Sequence, residues 1–269
     1  MTGRRWLALL AACGVAASAG ATSHCSRDIA VPVSATGASV IVDGEHVKGI
    51  YPDLMRSLGA KSGCKFVFTV VPRARQVALF KAGQADILVP ASRTPGRDQL
   101  GTFVPMIGHR AMLISMASSR APITSAQDLL ERRDLRVAVV RGFDYGEPYM
   151  ALINELGKHG RLFVEVDVVA VARLLHAGSA DLTIMGPTLM DGAIRREPRV
   201  QGMRDKLRME PIPELPWHYS GAYISNTLKP EDQAVLREML EKAGKSNQIM
   251  DGYLRYFRPD VLTDSVRPR

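Results

Sequence analysis

Short β-branched runs alternate with segments of helical period twice along this chain, which restricts it to an α/β architecture with parallel strands. The first series is strand "DIAVPV" (28–33), helix "GIYPDLMRSLGAKSG" (49–63), strand "CKFVFTVV" (64–71), helix "RARQVALFKAG" (73–83) and strand "ADILVPA" (85–91). Its first helix turns Ile50, Leu54, Met55 and Leu58 to one face and stops at Gly59 or Gly63. The second series opens at "APITSAQDLLERRD", where Ser125 and Asp128 have capping-box spacing with Asp in place of Glu. It continues with strand "LRVAVV" (135–140), helix "EPYMALINELGKHG" (147–160), strand "LFVEVDVV" (162–169), helix "AVARLLHAG" (170–178) and strand "ADLTIMG" (180–186). Two helices close the chain, over 230–244 with Val235, Leu236, Met239 and Leu240 inward, and over 246–257.

The two series share a junction. Leu79/Leu174, Ala82/Ala177, Gly83/Gly178, Ala85/Ala180 and Asp86/Asp181 match at a constant offset of 95 residues. In each copy a helix ends at a glycine suited to a left-handed cap, and the chain turns through Ala-Asp into a buried strand. Such a strand delivers its C-terminal loop to the sheet edge where open α/β sheets bind ligands. The first copy runs into Arg97, the second into the uncharged Gly186-Pro187-Thr188. The echo reads either as two similar lobes facing one cleft or as a common helix-to-strand junction used twice.

The first 21 residues stand apart from this pattern. Arg4 and Arg5 precede an apolar run, Trp6 to Ala17, and Ala19-Gly20-Ala21 supplies small residues for cleavage after Ala21, so export to the periplasm is expected. A competing reading makes Leu10-Ala11-Ala12-Cys13 a lipobox with Cys13 lipidated, and the paired arginines also hint at twin-arginine export. Cleavage after Ala21 removes two arginines and no acid, taking the formal charge from +8 to +6. That balance fits solubility or a preference for anions. The arginines are scattered and aromatics are only 6%, which argues against a nucleic-acid module.

With Cys13 in the leader, Cys25 and Cys64 remain; an oxidising compartment and an even count favour a disulfide between them. The six histidines show no HxxxH or HxH spacing, so neither a metal nor another cofactor is expected.

In order, "GIYPDLM", "PRARQVALFKAGQADILVPASRTPGR", "TSAQDLLERRDLRVAVVRGFDYG", "HAGSADLTI" and "KPEDQAVLREMLEKA…IMDGYLRYF" resemble the type 2 periplasmic solute-binding proteins of polar amino-acid ABC importers, bacterial extracellular solute-binding family 3. The resemblance covers nearly the whole chain after the leader. It implies a Venus flytrap: two doubly wound α/β lobes joined by a two-strand hinge, with the ligand trapped between them. Lobe 1 would be residues 26–112 plus 221–269 and lobe 2 residues 113–220, with "HRAMLISMAS" and "LPWHYSGAYIS" as crossovers.

In that family a Thr-x-Thr-x-x-Arg loop clamps the ligand's carboxylate, and the matching residues here are Ser92 to Arg97. A guanidinium meets a carboxylate as a planar fork, which suits Arg97 to the task. Two positions depart from the family. Gly186 stands where many relatives place an aspartate for the ligand's ammonium, and Arg73 where many place a stacking aromatic. Either Arg73 or Arg75 could face the cleft. Asp144 could replace the missing amine contact, or the backbone amides near Gly142 could hold an oxyanion. Phe143 and Tyr145 are candidates for a ligand wall.

The resemblance implies a monomeric, non-enzymatic binding protein that hands a small polar or anionic solute to a membrane permease. The alternatives are an exported dehydratase on the same fold or a sensing module docking on a membrane receptor.

Overall fold

In a computed structural model of the chain, residues 24–269 are described; the leader, its cleavage point and Cys13 lie outside the described residues. The elements are β1 (Ile29–Val33), β2 (Ile41–Asp43), β3 (His46–Lys48), α1 (Ile50–Ser62), β4 (Phe66–Val70), α2 (Arg73–Lys81), β5 (Ile87–Ser92), α3 (Pro95–Asp98) and β6 (Gly101–His109). There follow β7 (Met112–Met116), α4 (Ala126–Glu131), β8 (Val137–Val140), α5 (Glu147–Lys158), β9 (Leu162–Glu165), α6 (Val168–His176), β10 (Leu182–Met185), α7 (Pro187–Arg196), a 3-10 segment (Pro198–Lys206) and β11 (Leu207–Glu210). The chain ends with β12 (His218–Ser225), α8 (Pro230–Gly244), α9 (Gln248–Tyr256), α10 (Pro259–Leu262) and β13 (Val266–Pro268).

Two mixed α/β lobes result. In one, β1 pairs with β4 in parallel, and a four-stranded sheet runs in the order β13, β6, β12, β5. In the other, five strands run in the order β11, β7, β10, β8, β9. Strand β8 shows why both of that sheet's faces must be covered. Val137 and Val139 enter one core with Leu152 and Ile184, while Ala138 and Val140 enter a second with Val171 and Met190. A four-residue strand buried on both sides reads as a continuous apolar run.

The repeated junction does the same structural work in both lobes. Gly83 (φ 69°) and Gly178 (φ 67°) take the left-handed conformation that ends α2 and α6. The following aspartate then ties the strand to its neighbour. Asp86 accepts from the backbone N–H of Ala30 at 2.7 Å and takes a bidentate pair from Arg27. Asp181 accepts from the N–H of Arg136 at 2.8 Å and from that residue's Nε at 2.9 Å.

Two expectations are corrected. The strand expected over 162–169 stops at Glu165, because Asp167 caps α6 by accepting from Ala170 N–H at 2.8 Å. Val168 and Val169 therefore start a helix despite their β-branching, and the helix buries Val171, Ala172 and Leu175. Parallel pairing also fails at β5, whose ladder partner is the antiparallel β12. Beside β1, Val89 and Pro90 share a cis peptide, and a proline has no N–H to give a ladder. The side chain of Gln76 bridges there instead, its Nε2 donating to Pro32 O (2.9 Å) and Val89 O (3.0 Å).

The lobes are joined where β6 passes through Arg110-Ala111 into β7, and where β12 returns antiparallel to β6. The C-terminal segment adds a contact: Arg258 pairs with Asp205 at 2.7 Å, and the Arg195 guanidinium lies 5.5 Å from the centre of the Phe257 ring. Cys25 and Cys64 form the expected disulfide, joining the residues just ahead of β1 and β4.

Candidate functional site

Strand β5 ends at Ser92 and turns into the short α3. Thr94 caps it, its Oγ1 accepting from Arg97 N–H, with Pro95 in the first turn where a missing donor does no harm. This holds Arg97 at the sheet edge, its Nη1 donating to Ser92 O at 2.8 Å. The adjacent acid, Asp98, is already engaged by Arg93 Nε (2.9 Å) and the Tyr223 hydroxyl (2.9 Å). Arg97 thus has no carboxylate partner within the described chain.

Arg73 occupies the first position of α2. Its Nη1 donates to Gln76 Oε1 at 2.8 Å, and that oxygen also accepts from Ser34 Oγ at 3.0 Å. Gln76 is fully buried and uses all four of its hydrogen-bonding positions, so it is a fixed post for Arg73. Arg73 keeps access to solvent, yet partial desolvation and then the charge of Arg97 lower its pKa to about 10. It too has no carboxylate partner among the described residues, and the first turn of α2 contains no acid. Arg75, two residues on, is exposed and makes no polar contact.

On the other lobe the candidates lie in the loop between β8 and α5. Gly142 (φ 79°) and Gly146 (φ 98°) take conformations that favour glycine. Asp144 folds back on this loop, Oδ1 accepting from Gly146 N–H at 2.8 Å. Tyr145 packs edge-on against Phe143 (6.0 Å between ring centres) and Tyr149 (5.0 Å). Its hydroxyl faces the backbone of Gly186, and burial raises its pKa. Gly186 itself precedes α7 at φ −65° and ψ 129°, and a β-carbon there would meet nothing nearer than Thr188 Oγ1 at 4.0 Å. The structure thus sets Arg73 on the Gln76 amide and Arg97 on Ser92 O, and brings Tyr145 to Phe143 and Gly186. No hydrogen bond or ion pair joins the two sets across the lobes among the described residues.

The model of the bacterial extracellular solute-binding proteins, family 3, matches residues 29–258. The chain belongs to that family. This family 3 protein is similar in structure to a histidine kinase sensor domain that itself resembles periplasmic binding proteins (TM-score 0.64, 19% identity, 86% of this chain and 96% of that one). It is similar to an ancestral amino acid-binding protein described as a precursor of cyclohexadienyl dehydratase (TM-score 0.65, 18% identity, 86% and 95% covered). It also resembles the substrate-binding protein of an amino acid ABC transporter (TM-score 0.60, 15% identity, 86% and 99% covered). No curated protein matches it by sequence.

The hinge of this family 3 protein contains groups that spacing in the sequence does not reveal. His109 at the end of β6 is the register partner of His218 at the start of β12, their ring centres 6.4 Å apart. His109 Nε2 lies 3.2 Å from the Tyr253 hydroxyl, and His218 packs 5.8 Å from the Tyr145 ring. The usable signal was that each proposed crossover segment carries one histidine. Burial, and then His218, push His109 down to about 3; burial lowers His218 as well.

Both rings are therefore held neutral by the fold, while in the unfolded chain they titrate near about 6.5. Below that pH the unfolded state takes up protons the native state refuses, so stability is full above about 6.5 and falls toward 3. The expected loss from His109 is up to about 1.4 kcal/mol per pH unit below 6.5. Urea unfolding at pH 7.5, 6 and 5 should show it, and His109→Gln should flatten the slope. Equal slopes in the two proteins would exclude His109 as the source.

Proposed function

We propose that this is a periplasmic solute-binding protein that captures a small polar or anionic solute between its lobes and delivers it to an ABC permease. The observation that carries this reading is Arg97, a guanidinium held where β5 turns into α3 and paired with no acid among the described residues. Its family position is that of the carboxylate clamp, and the similar ABC-transporter protein is of this kind. Lobe closure would bring the Phe143–Tyr145 loop and Gly186 over the solute, so affinity depends on how readily the closed state is populated. In this reading the protein acts as a monomer, without cofactor, after removal of a leader.

Titration calorimetry with amino acids and dicarboxylates tests it. Arg97→Ala should weaken a ligand of the wild type by at least about 2 kcal/mol, roughly thirtyfold, because a desolvated charge loses its partner. Unchanged affinity would remove Arg97 from the site.

The similar sensor domain motivates a second reading, in which the closed form docks on a membrane receptor. Ligand-dependent binding to a receptor ectodomain, with none to a permease, would favour it. A dehydratase reading needs an acid or base poised in the cleft. The acids of the β8–α5 loop and helix start are Asp144, whose Oδ1 accepts from Gly146 N–H, and Glu147 in the first turn of α5. Turnover of a cyclohexadienyl acid would establish that reading instead.

A further inference from the structure

We propose that His109 and His218 make the movement of the lobes proton-sensitive: a proton taken up by the pair favours the open arrangement. The device works without reference to any particular solute and goes beyond the binding-protein reading above.

Four contacts carry it, and together they cross the hinge. Ser39, in the loop after β1, has its Oγ 3.5 Å from the Tyr253 hydroxyl of α9. That hydroxyl lies 3.2 Å from His109 Nε2. His109 faces its register partner His218 at 6.4 Å between ring centres, and His218 packs 5.8 Å from the ring of Tyr145 in the loop after β8. One histidine sits on each crossover, the first fixed to a helix of lobe 1 and the second to a loop of lobe 2. The series begins and ends in loops at the C-terminal ends of parallel strands, the edge on which open α/β sheets form their clefts. Rotation of one lobe against the other therefore changes the spacing or the hydration of these rings.

The surroundings keep both rings neutral while the contacts last. Around His109, β13 supplies the apolar Val266 as register partner and α9 the Tyr253 hydroxyl. The next residue, Arg110, is a cation 5.0 Å from the Trp217 ring, with Asp264 3.6 Å away; Arg267 lies on the same ring at 4.3 Å. Around His218 stand the uncharged Tyr145 and, in the same loop, Asp144, whose Oδ1 accepts from Gly146 N–H. No carboxylate is paired with either ring among the described residues. Burial outweighs the pull of Asp144 on His218, and burial together with His218 holds His109 neutral.

An imidazolium at this place would lack the water or acid that a buried charge needs. Opening hydrates the rings and returns them to titration near about 6.5. The open form then binds protons that the closed form refuses, so acid shifts the population toward opening. The ion pair between the lobes stays charged in this range, because its hydrogen bond to Arg258 holds the Asp205 carboxyl below the usual carboxylate values.

Energy transfer between dyes on Asn154→Cys in α5 and Lys242→Cys in α8 tests the proposal. Both positions are exposed, one on each lobe, and the disulfide keeps Cys25 and Cys64 from the dyes. Measurements run from pH 8 to pH 5 without added solute, with dyes whose emission is independent of pH and circular dichroism to check the fold. In the labelled parent the ratio of open to closed molecules should rise by up to roughly thirtyfold for one proton bound at about 6.5 in the open form alone. The double variant His109→Gln, His218→Gln keeps a polar group opposite Tyr253 without a titrating ring, and its response should be flat. Should that variant not fold, His218→Gln alone is read, and it should respond less than the parent. A parent whose lobes do not separate in acid, or a variant that responds as the parent does, overturns the proposal. No solute enters the measurement, so either of those results leaves the binding-protein reading standing.

Discussion

Replacing Glu210 by alanine should destabilise the protein by about 3–5 kcal/mol, the usual effect of stranding a buried charge. Glu210 ends β11 with a nearly inaccessible carboxylate. Arg120 engages both of its oxygens, Arg208 Nη2 approaches at 3.0 Å, and the N–H of Ile123 donates at 2.9 Å. Arg120 in turn donates to Ser115 Oγ at 2.9 Å and is itself largely buried. Deleting the carboxylate leaves the Arg120 and Arg208 guanidinium groups without their acid and the Ile123 N–H without an acceptor. The next residue, Pro211, begins the return to the hinge strand β12, so the loss should also loosen the crossover. Urea unfolding measures the first effect, and hydrogen exchange over 207–218 the second. A change within about 0.5 kcal/mol, typical of an ordinary surface substitution, would show that the cluster is not holding the lobe.

Removing the disulfide should have an effect of similar size. Cys25 and Cys64 are 39 residues apart, and closing such a loop in the unfolded chain is worth about 4 kcal/mol in the chain-entropy model. The bond restrains the entry to β1, which Ser26 also anchors through two contacts of 2.7 Å to Asp232 on α8. Those contacts persist in a Cys25→Ser, Cys64→Ser double variant, so the fold should survive at lower stability. Guanidinium unfolding of that variant, and of wild type with and without dithiothreitol, should give the same decrement. Wild type insensitive to reduction would mean the unfolded loop is already restrained by residual structure.

Much of the site's framework could be read locally. The helix over 50–62 with its left-handed stop at Gly63, the Ser125 cap and the helix over 230–244 follow from near neighbours in sequence. The echo was legible as a junction, and Asp86 and Asp181 gave it a shared role that the letters alone did not specify. Val168 and Val169 read as strand from their β-branching, but the capping Asp167 just ahead of them starts a helix there. Residues 187–210 and the long strand β6 carry no clean period that would announce them in the sequence.

Periodicity, caps, breakers and cysteine count determined the α/β class, the order within the two alternating series, the disulfide and the position of Arg97 after β5, because most of those signals act between residues close along the chain. Tertiary structure alone decided that Gln76 supports Arg73 while Arg75 stays exposed, and that His109 faces His218 across the hinge. Those pairings depend on how sheets and helices distant in sequence pack, and packing leaves no period in the chain for a reader to follow.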